Sequence, residues 1–179
     1  MEKNTGSIEN IKKIAIIGPE STGKSTLSRM LAEYFDTCWV REYAREYIDN
    51  LTVPYQKPDL DLIAKGQIEM EDQMIKSANK VLICDTNLIV IKIWSEYKYG
   101  YCEEWILDEI SRREYDLHLL TYIDLPWEDD PQREHPDKRH YFYDIYKAEL
   151  ESRKLKFKEI RGSIEERFKY AVFEINALL

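Results

Sequence analysis

Residues 18–26 read Gly18-Pro19-Glu20-Ser21-Thr22-Gly23-Lys24-Ser25-Thr26 and fit the pattern G-x-x-x-x-G-K-[ST]. In that pattern successive backbone N–H groups line a concave anion site at a helix N-terminus. Gly18, Glu20, Ser21, Thr22, Gly23, Lys24, Ser25 and Thr26 are therefore the expected nucleotide-binding residues. Lys24 can reach the β- and γ-phosphates of a triphosphate, and the Ser25 hydroxyl can hold Mg²⁺. ATP and Mg²⁺ are the cofactors this implies.

The flanks support the reading. Lys12–Ile17 is a short apolar run suited to a buried parallel strand. Lys24–Phe35 then has Leu27, Met30, Leu31 and Tyr34 at helical steps. Working outward, strands are predicted at Thr37–Val40, Lys80–Asp85, Asp116–Ile123 and Phe157–Ile160. Helices are predicted at Glu42–Asn50, Leu60–Ala78, Leu88–Tyr97, Glu103–Arg112, Phe142–Ser152 and Ser163–Leu178. The prolines at 54 and 58 mark 52–59 as a loop. Ser163 and Glu166 match the S-x-x-E capping box. Strand–helix alternation predicts an α/β fold: a five-stranded parallel sheet with helices on both faces.

The chain has 179 residues, 44% of them hydrophobic, and 13 tyrosines, which argues for one folded domain rather than disorder. Residues 1–10 are expected to form a flexible tail, and 11–179 the domain. A net charge of −8 argues against a nucleic-acid partner, because phosphate backbones demand clustered cations. No apolar run approaches a membrane span or a signal peptide, so a cytoplasmic protein with no membrane partner is expected. Cys38, Cys84 and Cys102 form no C-x-x-C pair and read as reduced thiols rather than a zinc site. His118, His135 and His140 form no metal pattern and read as structural or exposed.

In open parallel sheets, ligands bind beyond the carboxyl ends of the strands. Asp85 ends one such strand and is a candidate Mg²⁺ ligand beside Ser25; it also reads as the N-cap of the following helix. After the second strand, Glu42, Arg45, Glu46 and Asp49 share a helix face. That pattern is equally that of a solvated ion-pair face. Next to a cleft, Glu42 is placed to accept a proton from a substrate hydroxyl and Arg45 to bind a ribose or phosphate. The charged segment 124–140 reads as a lid or as an ordinary loop, with Arg133 and Arg139 available to stabilise transferring charge. Arg161-Gly162-Ser163 reads equally as an adenine-side loop or a helix cap.

Several stretches together resemble the nicotinamide riboside kinase (ribosylnicotinamide kinase) domain of bifunctional bacterial NAD-salvage proteins. They are Gly18–Thr26, Glu42-Tyr-Ala-Arg-Glu46, Gly66-Gln67, Val81–Thr86, Asp116–Thr121 and Trp127-Glu-Asp-Asp-Pro-Gln-Arg133. The resemblance implies a phosphate-loop kinase fold with a lid, here as a stand-alone version without a nucleotidyltransferase domain ahead of Met1. It implies ATP-dependent phosphorylation of the 5′-hydroxyl of nicotinamide riboside. By carry-over, Glu42, Arg45, Trp127 and Asp129 would lie near the nucleoside, with Asp129, Asp130 and Arg133 in the lid. Asn87 stands where the family often has a second acid, and Pro131 near a family glycine.

The expected catalytic set is Lys24, Glu42, Asp85 and Arg133, with Asp85 the alternative base to Glu42. The rivals are a kinase for another nucleoside or small metabolite, and a nucleotide-dependent regulatory ATPase. Asn79-Lys80 is not followed by the guanine-reading aspartate, and no D-x-x-G follows the third strand, which argues against a GTPase. The length also leaves no room for the extra helical lid domain of AAA-type ATPases.

Overall fold

The structure, a computed structural model, describes residues 10–179; most of the expected N-terminal tail lies outside the described residues. The strands are β1 (Lys12–Ile17), β2 (Trp39–Val40), β3 (Val81–Asp85), β4 (Leu117–Thr121) and β5 (Phe157–Ile160). They form one parallel sheet in the order β2-β3-β1-β4-β5. The helices are α1 (Lys24–Tyr34), α2 (Tyr43–Asp49), α3 (Lys57–Met74), α4 (Leu88–Tyr99), α5 (Glu104–Arg112), α6 (Arg139–Ser152) and α7 (Ile164–Asn176).

Alternation along the central strands divides the core. Ile14, Ile16, Val81, Ile83, Leu117 and Leu119 face Leu27 and Leu31 of α1 and Ala171 and Ile175 of α7. Ala15, Ile17 and Leu120 face Ile89 and Ile93 of α4 and Phe142, Tyr146 and Leu150 of α6. Both faces of the sheet are thus dry, as a parallel sheet requires. A further cluster joins Leu60 and Ile63 of α3 to Leu88 and Ile91 of α4, Ile106 of α5 and Tyr43 and Tyr47 of α2.

Several boundaries shift from the sequence reading, and two helix starts move by three residues. Helix α3 starts at Lys57, so Pro58 lies inside the first turn rather than in a loop. Its missing N–H has no helical partner to lose there. Gln56 and Asp59 close a capping box around it, with Gln56 N donating to Asp59 Oδ2 at 2.6 Å. Helix α6 starts at Arg139, after a 3₁₀ turn at Pro136–Lys138, so the expected lid segment ends in ordered structure.

Register sets the site. Ile16 pairs with Asp85, and Ile17 pairs with Leu120. The carboxyl ends of β1, β3 and β4 therefore converge on the loop that follows β1.

Candidate active site

A cleft of about 470 Å³ opens at these strand ends, within the range that holds a small ligand. One end is the phosphate loop, residues 18–26; Glu42, Arg45 and Gln67 line its flank. The other end is aromatic and apolar, with Tyr55, Leu60, Ile63, Val90, Ile91, Trp94, Phe142 and Tyr146.

The loop is shaped by close approach to β4. Gly18 has φ 142°, and a Cβ there would collide with the Thr121 carbonyl at 2.8 Å. Thr22 Oγ1 donates to Pro19 O at 2.8 Å and shares a 2.7 Å hydrogen bond with Thr121 Oγ1. Lys24 Nζ lies across the loop and donates to Pro19 O at 2.8 Å. Helix α1 opens at Lys24 behind a left-handed Gly23, so its first amides face the cleft.

Arg167 holds this loop from behind and escaped the sequence reading. It is wholly buried in α7. Its guanidinium donates to Thr22 O at 2.7 Å, Gly162 O at 2.8 Å and Tyr122 O at 2.9 Å, and pairs with Asp124. One side chain thus ties the phosphate loop to the ends of β4 and β5. Only the lone arginine in the apolar pattern of α7 signals it.

Asp85 is buried at the end of β3, and its Oδ1 has no hydrogen-bond partner. Burial first, then the nearby Glu42 charge, push its pKa up to about 6; Ser25, Lys24 and Arg45 pull the other way. Asp85 does not cap α4. Asn87 does, its Oδ1 accepting from Ile89 N at 3.1 Å, while its Nδ2 faces His118 Nε2 at 3.3 Å. Asn87 therefore has a capping role. Between them Thr86 has φ 74°, a strained conformation for a β-branched residue, and it lines the cleft.

A hard cation suits this corner: an orphaned buried carboxylate oxygen, a serine hydroxyl and a phosphate loop are the oxygen set Mg²⁺ prefers. Among the described residues no group of three or more His, Cys, Asp or Glu is arranged to hold a metal unaided. Phosphate oxygens and water would complete the shell.

Segment 124–140 is docked on the loop. Glu128 N donates to Ser21 Oγ at 2.8 Å, and Arg139 Nη1 donates to Ser21 O at 3.2 Å and Leu125 O at 2.9 Å. Arg133 Nη1 reaches Ser21 Oγ at 3.3 Å, and Glu20 accepts from Glu134 N and His135 N. On the other side Arg45 pairs with Asp130 at 2.9 Å, and Gln132 Nε2 donates to Arg45 O and Asp49 Oδ1. Arg45 thus engages this segment rather than acids of its own helix.

Trp127 and Asp129 do not line the cleft. Trp127 Nε1 donates to Asp129 Oδ1 at 2.8 Å, and its ring lies near Arg133 and Arg139. The aromatic wall comes instead from helices: Trp94 stacks on Phe142 at 6.0 Å and on His135 at 5.8 Å. His135 is packed there rather than lying free. His118 is buried in β4, and burial pushes its pKa down to about 4, so its ring stays neutral. All three cysteines are free thiols, Cys84 and Cys102 buried.

Comparison with known proteins places this architecture. A family model described as an AAA domain matches residues 13–167, from β1 into α7. The match takes in the five strands, helices α1–α6 and segment 124–140, so it stands although the chain's length leaves no room for an extra helical domain. The trifunctional NAD biosynthesis/regulator protein NadR of Escherichia coli (strain K12) is 33% identical over 129 residues, 69% of this chain and 31% of that protein. A crystal structure of NadR protein in complex with NR gives a TM-score of 0.79 at 23% identity, covering 96% of this chain and 50% of that one. NadR protein in complex with NAD and AMP-PNP gives 0.78 at 22% identity, covering 95% and 50%. Thymidylate kinase from Ehrlichia chaffeensis gives 0.67 at 14% identity, covering 93% and 99%. The chain thus spans under a third of the curated relative and half of the solved NadR chains. The likenesses bear out the α/β phosphate-loop kinase fold expected from the sequence.

Proposed function

Since the chain belongs to the AAA domain family, matched over residues 13–167, we propose that it is an ATP-dependent kinase that phosphorylates the 5′-hydroxyl of nicotinamide riboside. The observation that carries this reading is one continuous cleft. It joins a complete phosphate loop to aromatic side chains, and Glu42 is part of its lining. The relatives support it: NadR is named for NAD biosynthesis and has been crystallised with NR and with AMP-PNP.

Phosphoryl transfer needs positioning and charge neutralisation more than covalent chemistry. In this reading Lys24 and the loop amides hold the triphosphate, and Ser25 and Asp85 hold Mg²⁺. When bound, Mg²⁺ neutralises charge on the phosphate oxygens. Glu42 accepts the proton of the acceptor hydroxyl. Arg133, at the loop's edge, stabilises charge on the transferring group, and segment 124–140 acts as the lid.

The other end of the cleft supports this choice of acceptor. Nicotinamide riboside carries a cationic pyridinium ring. A face of Trp94, Phe142 or Tyr55 favours a cation by about 0.5–2 kcal/mol per contact. Glu20, Glu42, Glu128 and Glu134 line the same cleft and add favourable charge. Among the described residues no helix is long and apolar enough to cross a membrane.

The test is transfer of labelled phosphate from ATP to nicotinamide riboside, uridine and thymidine in parallel. Nicotinamide riboside is expected to be the preferred acceptor. Equal rates with all three would remove the specificity, and hydrolysis independent of any acceptor would favour a regulatory ATPase.

A further inference from the structure

We propose that Gln67 is the positioning residue for Glu42, and that it works by gripping the main chain on both sides of that acid. The inference rests on Glu42 being the base of the proposed kinase. Glu42 is the N-cap residue of α2, with φ −65° and ψ 104°, and it makes no side-chain cap hydrogen bond. A side chain that caps its own helix turns back to accept from the amides of the first turn. That would take its carboxylate out of the cleft.

In this fold the cap comes from another helix. Tyr43 N, the first helical amide of α2, donates to Gln67 Oε1 at 2.9 Å. Gln67 Nε2 donates in turn to Arg41 O at 3.2 Å. Both functional ends of one amide are thereby committed to the residues on either side of Glu42. The Glu42 carboxylate is left free for the cleft, which both Glu42 and Gln67 line.

Other ties of α2, Arg45 to Asp130 and Tyr47 to Asp59, lie further along the helix than Glu42. Helix α2 is only 7 residues long and contains no fully buried residue. Strand β2 is 2 residues long. Gln67, by contrast, is 2% exposed in the 18-residue α3. The neighbouring residue makes the approach feasible: a side chain at Gly66 would collide with the Tyr43 ring. Gly66 seats the first side chain of α2, and Gln67 holds its backbone. An amide suits the task better than a carboxylate. It supplies a donor as well as an acceptor, and it adds no charge beside Glu42.

The test is a double-mutant cycle of Gln67→Met and Glu42→Gln, with turnover and nucleotide affinity measured separately. Displacement of a reacting group by about 1 Å costs roughly a hundredfold in rate. Gln67→Met is therefore expected to lower kcat about ten- to a hundredfold. Affinity for a non-hydrolysable ATP analogue should stay within about twofold, because the Gln67 amide bonds to the main chain at Arg41 and Tyr43 rather than to the phosphate loop. In the Glu42→Gln background Gln67→Met should cost nothing further. Hydrogen exchange should show lost protection at the Tyr43 amide. If Gln67→Met fails to fold, Gln67→Glu keeps the acceptor for Tyr43 and serves in the same cycle. A Gln67 variant with wild-type kcat, or losses that multiply in the double variant, would overturn the inference. A fast Glu42→Gln enzyme would overturn the base assignment itself, whereas a slow Glu42→Gln beside a fast Gln67→Met defeats only the role of Gln67.

Discussion

At the residue scale, Asp85 sets stability against function. Its pKa is pushed up to about 6 from an ordinary value of 3.8. Between those values the native protein holds a proton that the unfolded chain has released. Its contribution to stability is therefore present at low pH, is lost as pH rises through about 6, and stays lost above. Asp85→Asn should make the ligand-free protein more stable at pH 7–8, by an amount on the order of 1–3 kcal/mol. The advantage should vanish below about pH 4, and turnover should fall at least about a hundredfold. Urea titrations of both proteins from pH 4 to 8 check this; an equally stable or weaker variant at pH 8 would contradict it. His118 acts with the opposite sign. Burial lowers its pKa from 6.5 to about 4, so its contribution is lost as pH falls through that window. The Asp85→Asn variant should accordingly show a steeper acid loss than wild type.

At the scale of elements, the capping of α3 and the anchoring of α7 carry separate predictions. Asp59 accepts from Gln56 N at 2.6 Å and from Tyr47 OH at 2.8 Å, joining α3 to α2. Asp59→Ala should cost about 1–2 kcal/mol in thermal or urea unfolding, and an unchanged midpoint would argue that the box contributes nothing. Arg167 is a different case. Its removal takes the guanidinium from Asp124, which keeps the Gly162 amide, and from three backbone carbonyls, so Arg167→Leu should lose roughly 3–5 kcal/mol and threaten folding. Arg167→Lys keeps the charge but not the fork. It should fold and bind a non-hydrolysable ATP analogue about tenfold more weakly, because the Thr22 carbonyl loses its tether; calorimetric titration reads this directly, and unchanged affinity would contradict it.

These elements also show what a linear reading reaches. Strands β1, β3 and β4 were legible because buried parallel strands are continuous apolar runs, and Asp85 because an acid ends one of them. The phosphate loop was legible because its backbone shape demands particular residues at fixed spacing. The start of α3 was not, because a proline signals a loop and a first helical turn alike. The aromatic compartment was not either. Trp94, Phe142 and Tyr146 sit at core-like helical positions, and only the packing of α4 against α6 turns them toward the cleft. Trp127 stood out in sequence, yet its ring pairs with Arg133 and Arg139 outside the cleft. Gln67 and Arg167 act through carbonyls and amides remote in the chain, which side-chain patterns do not encode.

At the scale of the whole molecule, strand order gathers the function. Placing β1 between β3 and β4 brings the phosphate loop, Asp85 and the docked segment 124–140 to one edge, while α2 and α3 supply Glu42 and its bracket. In the proposed function, the −8 net charge and the acids lining the cleft would suit a cationic nucleoside approaching an anionic nucleotide at Lys24 and helix α1. The most direct test is a crystal structure with a non-hydrolysable ATP analogue, Mg²⁺ and nicotinamide riboside. The account predicts the terminal phosphate in the loop against Lys24, the pyridinium ring between Trp94, Phe142 and Tyr55, and the 5′-hydroxyl facing Glu42. A well-ordered complex with the loop empty, or with the nucleoside ring outside the aromatic compartment, would contradict it.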